Sequence, residues 1–329
     1  MDAAGRTPSA TMKAARLTGP GRIEVIDVAI PAPADREVRV RLQGCGVCAS
    51  NLGPWQGPEW MKFPTAPGGL GHEGWGMIDA VGDAVTAFAP GDRVAVLSQN
   101  AYAEYDVAPE ECVVTLPPGL EGRAFPGEPL GCAMNIFRRS NVKAGDCVAI
   151  IGAGFLGLLL IQLCKMAGAR VIALSRRPFA LALARQAGAD EVIALADHFA
   201  IIEQVHQLTG GRFCNVTIEA VGKQWPLDLA ADLTGERGRL VIAGYHQDGL
   251  RQVNMQLWNW RGLDVINAHE RDAAIYIGGM REAVAACEAG RLQPFDYLTH
   301  RYPLERLDEA LDATRDRPEG FLKAVVMFS

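Results

Sequence analysis

The sequence predicts an α/β chain that combines a doubly wound parallel sheet with a second, smaller β-rich domain. A strand, a glycine-rich loop, a helix and a second strand follow one another within residues 148–177. Strands and helices alternate in the second half of the chain, whereas short strands separated by turns fill the first half. Because 329 residues exceed the size of a typical single core, two domains are expected.

The domain boundaries follow from where this rhythm changes. We place a β-rich catalytic domain at 12–130 and a nucleotide-binding domain at 131–271. Residues 272–329 are expected to complete the first domain, and residues 1–11 to form a flexible extension. The catalytic cleft is expected between the two domains, where small-molecule sites are common.

The first domain is predicted from short runs in which apolar and polar residues alternate. Residues 22–28 and 37–43 show this alternation, and turns rich in proline and glycine separate the runs. Further strands are predicted at 74–81, 92–97 and 101–107. The long loop at 45–72 is rich in proline, glycine and tryptophan, and loops of this kind are more often functional than structural.

A glycine-rich loop follows the apolar strand predicted at 148–151 and precedes a largely apolar helix. Its glycines have the G-x-G-x-x-G spacing: Gly152, Gly154 and Gly157. One glycine permits the tight turn, one lets the backbone approach a pyrophosphate, and one lets helix and strand pack closely. The helix N-terminus adds unpaired N–H groups and a positive dipole end. We interpret the unit as a dinucleotide site; a merely glycine-rich helix start is the alternative.

The residues after the second strand of this unit select the cofactor. An NAD site usually has an acid here, whereas this chain has Ser175, Arg176 and Arg177. A hydroxyl and two guanidinium groups would bind a 2′-phosphate, which favours NADP(H) over NAD(H). The alternative is that both arginines are ordinary solvated loop residues. Other cofactor contacts are expected from Phe155, Leu156, Ala220, Val221, Ala243 and Gly244.

The rest of the second half continues the alternation. Six parallel strands are predicted at 148–151, 171–174, 191–194, 215–219, 239–243 and 263–267. Helices are predicted at 179–187, 199–208, 227–233, 273–289 and 304–314. A terminal apolar strand at 322–328 has no place in this sheet, so we expect it to join the β-rich domain.

Charge and composition limit the partners of the chain. A net charge of −6 argues against nucleic acid or an anionic membrane as the main partner. The N-terminus has no apolar segment of a secretory signal, and no run approaches the roughly 20 apolar residues of a membrane span. Eight cysteines in a chain of this size do not form a disulfide scaffold, so a cytoplasmic protein with reduced thiols is expected.

A second group of residues has the chemistry of a metal site. Cys48 lies at a turn, His72 and Glu73 follow 24 and 25 residues later, and Glu128 precedes the nucleotide-binding unit. Thiolate, imidazole and carboxylate are zinc ligands, and three protein ligands with one open position describe a catalytic zinc.

Three alternatives compete with this interpretation. Cys45 and Cys48 have the C-x-x-C spacing of a redox pair, although they do not open a thioredoxin-like unit. Cys132 could replace Glu128 as a ligand, and His72 could be an ordinary core histidine.

The motifs around these residues match a known family from residue 12 onward. The matching segments are GVCASN at 46–51, GHEGWG at 71–76, VGDAVTAFAPGDRV at 81–94, EPLGCA at 128–133, GAGFLG at 152–157 and IEAVG at 218–222. In this order and spacing the chain resembles the zinc-containing medium-chain alcohol and polyol dehydrogenases. The resemblance implies a GroES-like catalytic domain, a Rossmann domain, and a homodimer or homotetramer.

The resemblance also implies roles for individual residues. Zinc would be bound by Cys48 and His72, with Glu73 as a ligand or close neighbour. Glu128 falls where polyol-dehydrogenase relatives carry a zinc-site carboxylate, direct or through water. Ser50 falls on the hydroxyl residue that hydrogen-bonds the substrate oxygen and starts the proton path.

Three departures from the family pattern affect the site. Asn51 replaces an acid that supports the zinc-bound histidine, although its carbonyl could still accept that hydrogen bond. Gly53 replaces a histidine that ends the proton path in some relatives. Residues 94–103 lack the four-cysteine lobe, so one catalytic zinc and no structural zinc is expected.

Together these features predict a zinc-dependent oxidoreductase that interconverts an alcohol and a carbonyl with NADP(H). Glu128 favours a polyol-like or sugar-like substrate, whereas Trp55 and Trp60 in the long loop favour a bulkier secondary alcohol. One rival is a zinc-free quinone or enone reductase of the same architecture. The other is a non-catalytic nucleotide-binding protein.

Overall fold

The computed structural model describes residues 10–328, which divide into two compact units. Within the described residues, the first unit comprises residues 10–129 and 295–328, and the second comprises residues 130–294. The predicted flexible extension at 1–11 lies outside the described residues except at its last two positions, and Thr11 already begins the first strand. No helix within residues 10–328 is both long and apolar enough to cross a membrane.

The first unit is β-rich, as predicted. Its elements are β1 (Thr11–Gly19), β2 (Arg22–Ala29), β3 (Glu37–Gly46), α1 (Leu52–Gln56), β4 (Gly74–Val81), β5 (Arg93–Val96), β6 (Tyr105–Pro109), β7 (Val113–Thr115), and, from the end of the chain, β14 (His300–Pro303), α9 (Leu307–Asp316) and β15 (Ala324–Met327). A seven-stranded sheet has the order β14-β15-β3-β4-β5-β7, with β6 paired to β3, and β1 and β2 form a separate pair.

The alternation along β3 buries one face of that strand. Val38, Val40 and Leu42 point into a core that also contains Trp55 and Leu307. The C-terminal strand pairs with β3 in antiparallel register, which confirms that the end of the chain returns to the β-rich unit.

The strand predicted at 101–107 begins later than expected, at Tyr105. The backbone N–H groups of Ala101 and Tyr102 donate to Gly71 and Gly68 instead. Residues 101–104 therefore bond partly to the loop that precedes His72 and partly to β1, where Tyr102 O accepts from Ala15 N and Glu104 N donates to Lys13 O.

The second unit contains the predicted parallel sheet. Its elements are α2 (Gly127–Ser140, which begins in the first unit), β8 (Cys147–Ile151), α3 (Phe155–Met166), β9 (Arg170–Ser175), α4 (Pro178–Gln186), β10 (Glu191–Ala194), α5 (His198–Leu208), β11 (Cys214–Glu219), α6 (Gln224–Leu233), β12 (Thr234–Ile242), α7 (Met255–Arg261), β13 (Asp264–Asn267) and α8 (Ala273–Glu288). The six parallel strands have the order β10-β9-β8-β11-β12-β13. This is the strand order of a doubly wound sheet, in which ligands bind at the carboxyl ends of the strands.

The observed boundary differs from the predicted one for residues 272–294. The sequence pattern predicts that they belong to the catalytic domain, but α8 packs within the second unit. Asn135 on α2 donates to Ile275 O at 3.3 Å, and a Cβ on Gly131 would lie 2.7 Å from the Met280 side chain. The sequence pattern predicts the position of the helix correctly. It does not indicate that the helix packs against α2.

Candidate active site

A thiol, an imidazole and a carboxylate converge where β3 ends and β4 begins. Cys45 pairs with Gly74 across these antiparallel strands, so residues that follow β3 lie beside residues that precede β4. Cys48, His72 and Glu73 each offer one ligand atom, and these atoms lie within 4.8 Å of one another. Strand pairing therefore brings together three of the residues to which the sequence assigns zinc binding.

Glu73 is fully buried and depends on close packing. A Cβ on Gly46 would lie 1.8 Å from Glu73 Oε2, so only glycine leaves room for this carboxylate. Lys323 Nζ donates to Glu73 Oε1 at 2.8 Å and lies 2.7 Å from Oε2 in an ion pair. The same ammonium donates to Val47 O at 3.1 Å, which connects Glu73 to the residue before Cys48.

The orientation of His72 is fixed by a backbone carbonyl. His72 Nδ1 lies 2.9 Å from Leu70 O, so an Nδ1–H group donates there and Nε2 is left for a metal. Asn51 does not accept this hydrogen bond, contrary to the prediction. Its amide donates to the same Leu70 O at 3.0 Å, and its Oδ1 accepts from Tyr102 at 3.0 Å. Asn51 therefore holds the Leu70 carbonyl in place, and this carbonyl orients the His72 ring.

The cluster accumulates negative charge. Burial disfavours the protonated His72 imidazole, but its hydrogen bond to Cys48 and the charge of that thiolate raise its pKa. The carboxylates of Glu128 and Glu73 act in the same direction, and the resulting pKa is about 10. Burial also disfavours charged Lys323, but Glu73 and Cys48 outweigh it and raise the pKa of Lys323. A cation would balance this charge, and the thiolate, imidazole and carboxylate donor set fits zinc.

The other residues of the predicted metal site take different places. Glu128 is buried on the first turn of α2, and its charge reaches both His72 and Lys323. It is not one of the three residues whose ligand atoms cluster. Cys132, one turn later, lies 3.6 Å from the Tyr276 hydroxyl. Ser50 is half-buried in the 3₁₀ turn that directly follows Cys48.

The two tryptophans of the loop at 45–72, Trp55 and Trp60, have different environments. Trp55 is buried in the core of the first unit, where its Nε1 donates to Asp312 at 2.9 Å. It therefore anchors the loop, whereas Trp60 is 71% exposed.

The glycine loop lies between β8 and α3 at the carboxyl end of the parallel sheet. Gly152 has φ +107° and packs against Val221 and Ala220. A Cβ on Gly157 would lie 1.8 Å from Gly152 O, which shows how closely the helix approaches the turn. A Cβ on Gly154 would meet nothing within 4 Å, so the backbone there faces open space. These environments agree with the three roles expected of such glycines.

This contrast predicts different effects for two matched substitutions. Gly157→Ala should destabilise the second unit by about 1–3 kcal/mol, because the added methyl group forces helix and turn apart. Gly154→Ala should leave stability nearly unchanged but weaken binding of a nicotinamide dinucleotide such as NADPH, because the methyl group would occupy space that a pyrophosphate needs. Denaturant unfolding and a fluorescence titration with NADPH would measure the two effects. Equal behaviour of the two variants would contradict these separate roles.

The predicted cofactor contacts surround this loop. Ser175 is buried at the end of β9, and its hydroxyl accepts from Arg177 N at 3.3 Å, while Arg176 is exposed. Leu174 O accepts from Gly152 N at 2.8 Å, which fixes the end of β9 beside the turn. Phe155 and Leu156 open α3, Ala220 and Val221 follow β11, and Ala243 and Gly244 follow β12.

Among the buried charged residues, Glu219 and Lys323 have no role assigned from the sequence. Glu219 accepts from Val221 N and Gly222 N, both at 2.7 Å, and its Oε2 lies 3.1 Å from His246 Nε2. It thus shapes the backbone next to Gly152. Lys323 is the second, and a single lysine within the apolar segment FLKAVVM was the signal that could have revealed it.

Both halves of the chain match known family patterns. The pattern described as alcohol dehydrogenase GroES-like domain matches residues 34–118, and that described as zinc-binding dehydrogenase matches residues 156–284. A quinone oxidoreductase of Pseudomonas aeruginosa is 33% identical over 251 residues, which cover 74% of this chain and 76% of that protein. The chain belongs to the zinc-type medium-chain dehydrogenase/reductase family. It is an oxidoreductase with a GroES-like domain and a Rossmann-like parallel sheet.

Other members of the family match almost the whole chain. A sorbitol dehydrogenase of Halalkalibacterium halodurans is 26% identical over 330 residues, covering 90% of this chain and 94% of that protein. The solved structure of alcohol dehydrogenase TADH from Thermus sp. ATN1 is 25% identical with a TM-score of 0.81, covering 97% and 100% of the two chains. A structure from Sinorhizobium meliloti 1021, described as a zinc-binding dehydrogenase bound to NADP, is 27% identical with a TM-score of 0.82 and the same coverage.

Proposed function

We propose that this family member interconverts an alcohol and its carbonyl compound with one catalytic zinc and NADP(H). The observation that carries the proposal is the convergence of Cys48, His72 and Glu73 within 4.8 Å. A polyol-like or sugar-like alcohol, or a bulkier secondary alcohol, is the proposed substrate class. Relatives described as sorbitol dehydrogenase and D-arabitol-phosphate dehydrogenase support the polyol side of this class.

Different residues of the chain would bind the metal and transfer the proton. Cys48 and His72 would hold the metal, with Nε2 of His72 directed to it because Nδ1 bonds Leu70 O. Glu73 would be a ligand or a close neighbour, and Glu128 a further carboxylate, direct or through water. Zinc bound there supplies a Lewis acid that polarises the substrate oxygen. Ser50 would hydrogen-bond the substrate hydroxyl and pass its proton outward.

The cofactor would bind at the glycine loop and at the residues where β9 ends. Hydride transfer is the chemistry that a bound nicotinamide supplies. Gly152, Gly154 and Gly157 would receive the pyrophosphate, while Ser175, Arg176 and Arg177 would bind a 2′-phosphate, because charge-assisted hydrogen bonds from guanidinium favour phosphate. The NADP-bound relative supports this choice.

The cofactor proposal predicts a selective effect of Arg176→Ala. The KM for NADPH should rise by about tenfold or more, as expected when a hydrogen bond to a charged group is lost, while the KM for NADH should barely change. Arg185→Ala is the matched control, because Arg185 is also an exposed arginine and lies in the last turn of α4. An NADPH-to-NADH ratio that Arg176→Ala does not alter would refute the 2′-phosphate assignment.

A direct screen tests the reaction class. Zinc-loaded protein with NADP⁺ should oxidise at least one member of a panel of polyols, sugar alcohols and bulky secondary alcohols, seen as NADPH absorbance. A second candidate function is a zinc-free quinone or enone reductase, which the 33% identical quinone oxidoreductase favours. Reduction of quinones by chelator-treated protein, without oxidation of any alcohol, would select that candidate.

The sequence is also the basis for a proposed oligomeric state and a proposed cellular compartment. We propose a homodimer or homotetramer in the cytoplasm. β13 is an edge strand of the parallel sheet and Val265 on it is 38% exposed, which offers a surface for self-association. Light scattering on the purified protein would give the oligomeric state.

A further inference from the structure

A groove of about 1260 Å³ lies at the N-terminal edge of the parallel sheet, in the second unit. It is lined by the first residues of β8, β9 and β11 and by the loops that precede them. None of the residues proposed for zinc, proton transfer or the cofactor lines it. Because β8 runs from Cys147 to Ile151, about 13 Å of strand separates this edge from the glycine loop. The groove is therefore independent of the proposed active site.

Two thiols meet in this groove. Cys147 and Cys214 begin the neighbouring parallel strands β8 and β11, whose register pairs Val148 with Val216. Their sulfur atoms lie 3.9 Å apart, and both cysteines are free. Cys214 is fully buried, whereas Cys147 is partly exposed to the groove. A disulfide needs an S–S distance of about 2.05 Å, so closure requires a sulfur movement of about 2 Å.

The groove is strongly cationic. Its lining includes two carboxylates, Asp146 and Glu236, and six cationic side chains: Lys143, Arg170, Arg212, Arg237, Arg239 and Arg261. Arg170 and Arg239 donate to backbone carbonyls, and each has a carboxylate at 3.8 Å. Arg212 and Arg237 are exposed. The excess of positive charge fits a small anionic molecule.

We propose that Cys147 and Cys214 form a thiol–disulfide exchange site that takes a small acidic disulfide, such as glutathione disulfide, from the cationic groove. The Cys147 thiolate attacks one sulfur of the incoming disulfide, forms a mixed disulfide and releases one thiolate. Cys214 gives its proton to that thiolate, and the Cys214 thiolate then attacks the Cys147 sulfur and releases the second half of the ligand as a thiolate. One disulfide is thereby reduced to one thiol and one thiolate, and Cys147 and Cys214 are oxidised to one disulfide.

The environments of the two sulfur atoms assign these roles. The hydrogen bond from Cys214 lowers the pKa of Cys147; burial opposes this and Arg170 supports it. Asp190 and Asp146 raise the pKa, and the net result is about 7. The hydrogen bond to Cys147 and burial raise the pKa of Cys214. Near neutral pH the accessible Cys147 is thus the nucleophile, and the buried Cys214 resolves the mixed disulfide.

The test uses the reduced full-length protein and glutathione disulfide, with acid quenching and peptide mapping by mass spectrometry. Wild-type protein should yield a peptide pair joined through Cys147 and Cys214. Cys214→Ser should accumulate one glutathionyl group on Cys147, whereas Cys147→Ser should leave Cys214 reduced. Both variants should retain the alcohol turnover of the wild type, because neither residue belongs to the proposed active site. Failure to find the joined peptides in wild-type protein, when other cysteines have reacted, would overturn the proposal.

A second measurement tests the groove and does not depend on cysteine variants. Glutathione disulfide should react at Cys147 at least about tenfold faster than cystamine, a disulfide of similar chemistry with positive charge. Added salt should reduce this difference. An Arg212→Ala/Arg237→Ala variant should slow the reaction with glutathione disulfide only. Equal rates for the two disulfides would show that the cationic groove does not select the oxidant and would overturn the proposed ligand class.

Discussion

Replacing Cys48 by alanine is expected to remove zinc from the protein and to abolish alcohol turnover. The thiolate is one of three donors within 4.8 Å, so its loss leaves too few ligands for a catalytic site. Turnover should fall by more than the roughly 10–100-fold that loss of an outer-shell partner costs. NADPH binding should survive, because the glycine loop belongs to the other compact unit. Zinc content by atomic emission, turnover and an NADPH titration would measure the three effects.

Cys45→Ala is the matched control for this experiment. Cys45 is a buried thiol three residues earlier, and its Sγ lies 3.4 Å from Gly46 O. The control should keep about one zinc per chain and its turnover, even if it loses some stability. If Cys45→Ala also abolished turnover and kept its zinc, a Cys45–Cys48 redox pair would replace the metal interpretation. Wild-type turnover in Cys48→Ala would exclude zinc-centred chemistry at this cluster.

Replacing Lys323 by methionine is expected to cause the largest loss of stability. Lys323 and Glu73 are buried together, with side chains 7% and 0% exposed. Methionine keeps most of the side-chain volume but leaves the Glu73 carboxylate without its cation, and breaking a buried pair in this way costs about 3–5 kcal/mol. The change also removes the donor to Val47 O, one residue before Cys48. Denaturant unfolding of the chelator-treated protein would measure the free energy.

Two comparisons separate this effect from a general packing defect. Arg16→Met removes an exposed partner of Glu24, and surface pairs of this kind contribute no more than about 1 kcal/mol. Added zinc should stabilise Lys323→Met more than it stabilises wild-type protein, because the metal charge would replace the missing ammonium beside Glu73. If zinc stabilised both proteins equally, Glu73 would not lie within reach of the metal.

Much of the fold could be predicted because its determinants are local. The alternation along β3 and the apolar runs of β8 and β9 specify strands of two kinds, one-sided and fully buried. The glycine loop is equally local: Gly152 needs its positive φ and Gly157 its close approach wherever the rest of the chain lies. The return of the terminal strand could be predicted as well, because the six-stranded sheet left no place for it.

The interactions that tune the site depended on strand register and packing, which no local pattern encodes. Register between β3 and the C-terminal strand places Lys323 beside Glu73, 250 residues away. His72 donates to Leu70 O rather than to the Asn51 side chain, and the Asn51 amide donates to the same carbonyl. Packing of α8 on α2 likewise determined which unit that helix joins.

The sequence alone determined the family, the two kinds of sheet and the chemistry of the donor residues, because residue type and short-range spacing carry that information. Only the tertiary structure decided which buried charge balances Glu73, and that Cys147 and Cys214 meet at the edge of the parallel sheet. Such contacts join residues far apart in the chain, and their geometry depends on every strand between them.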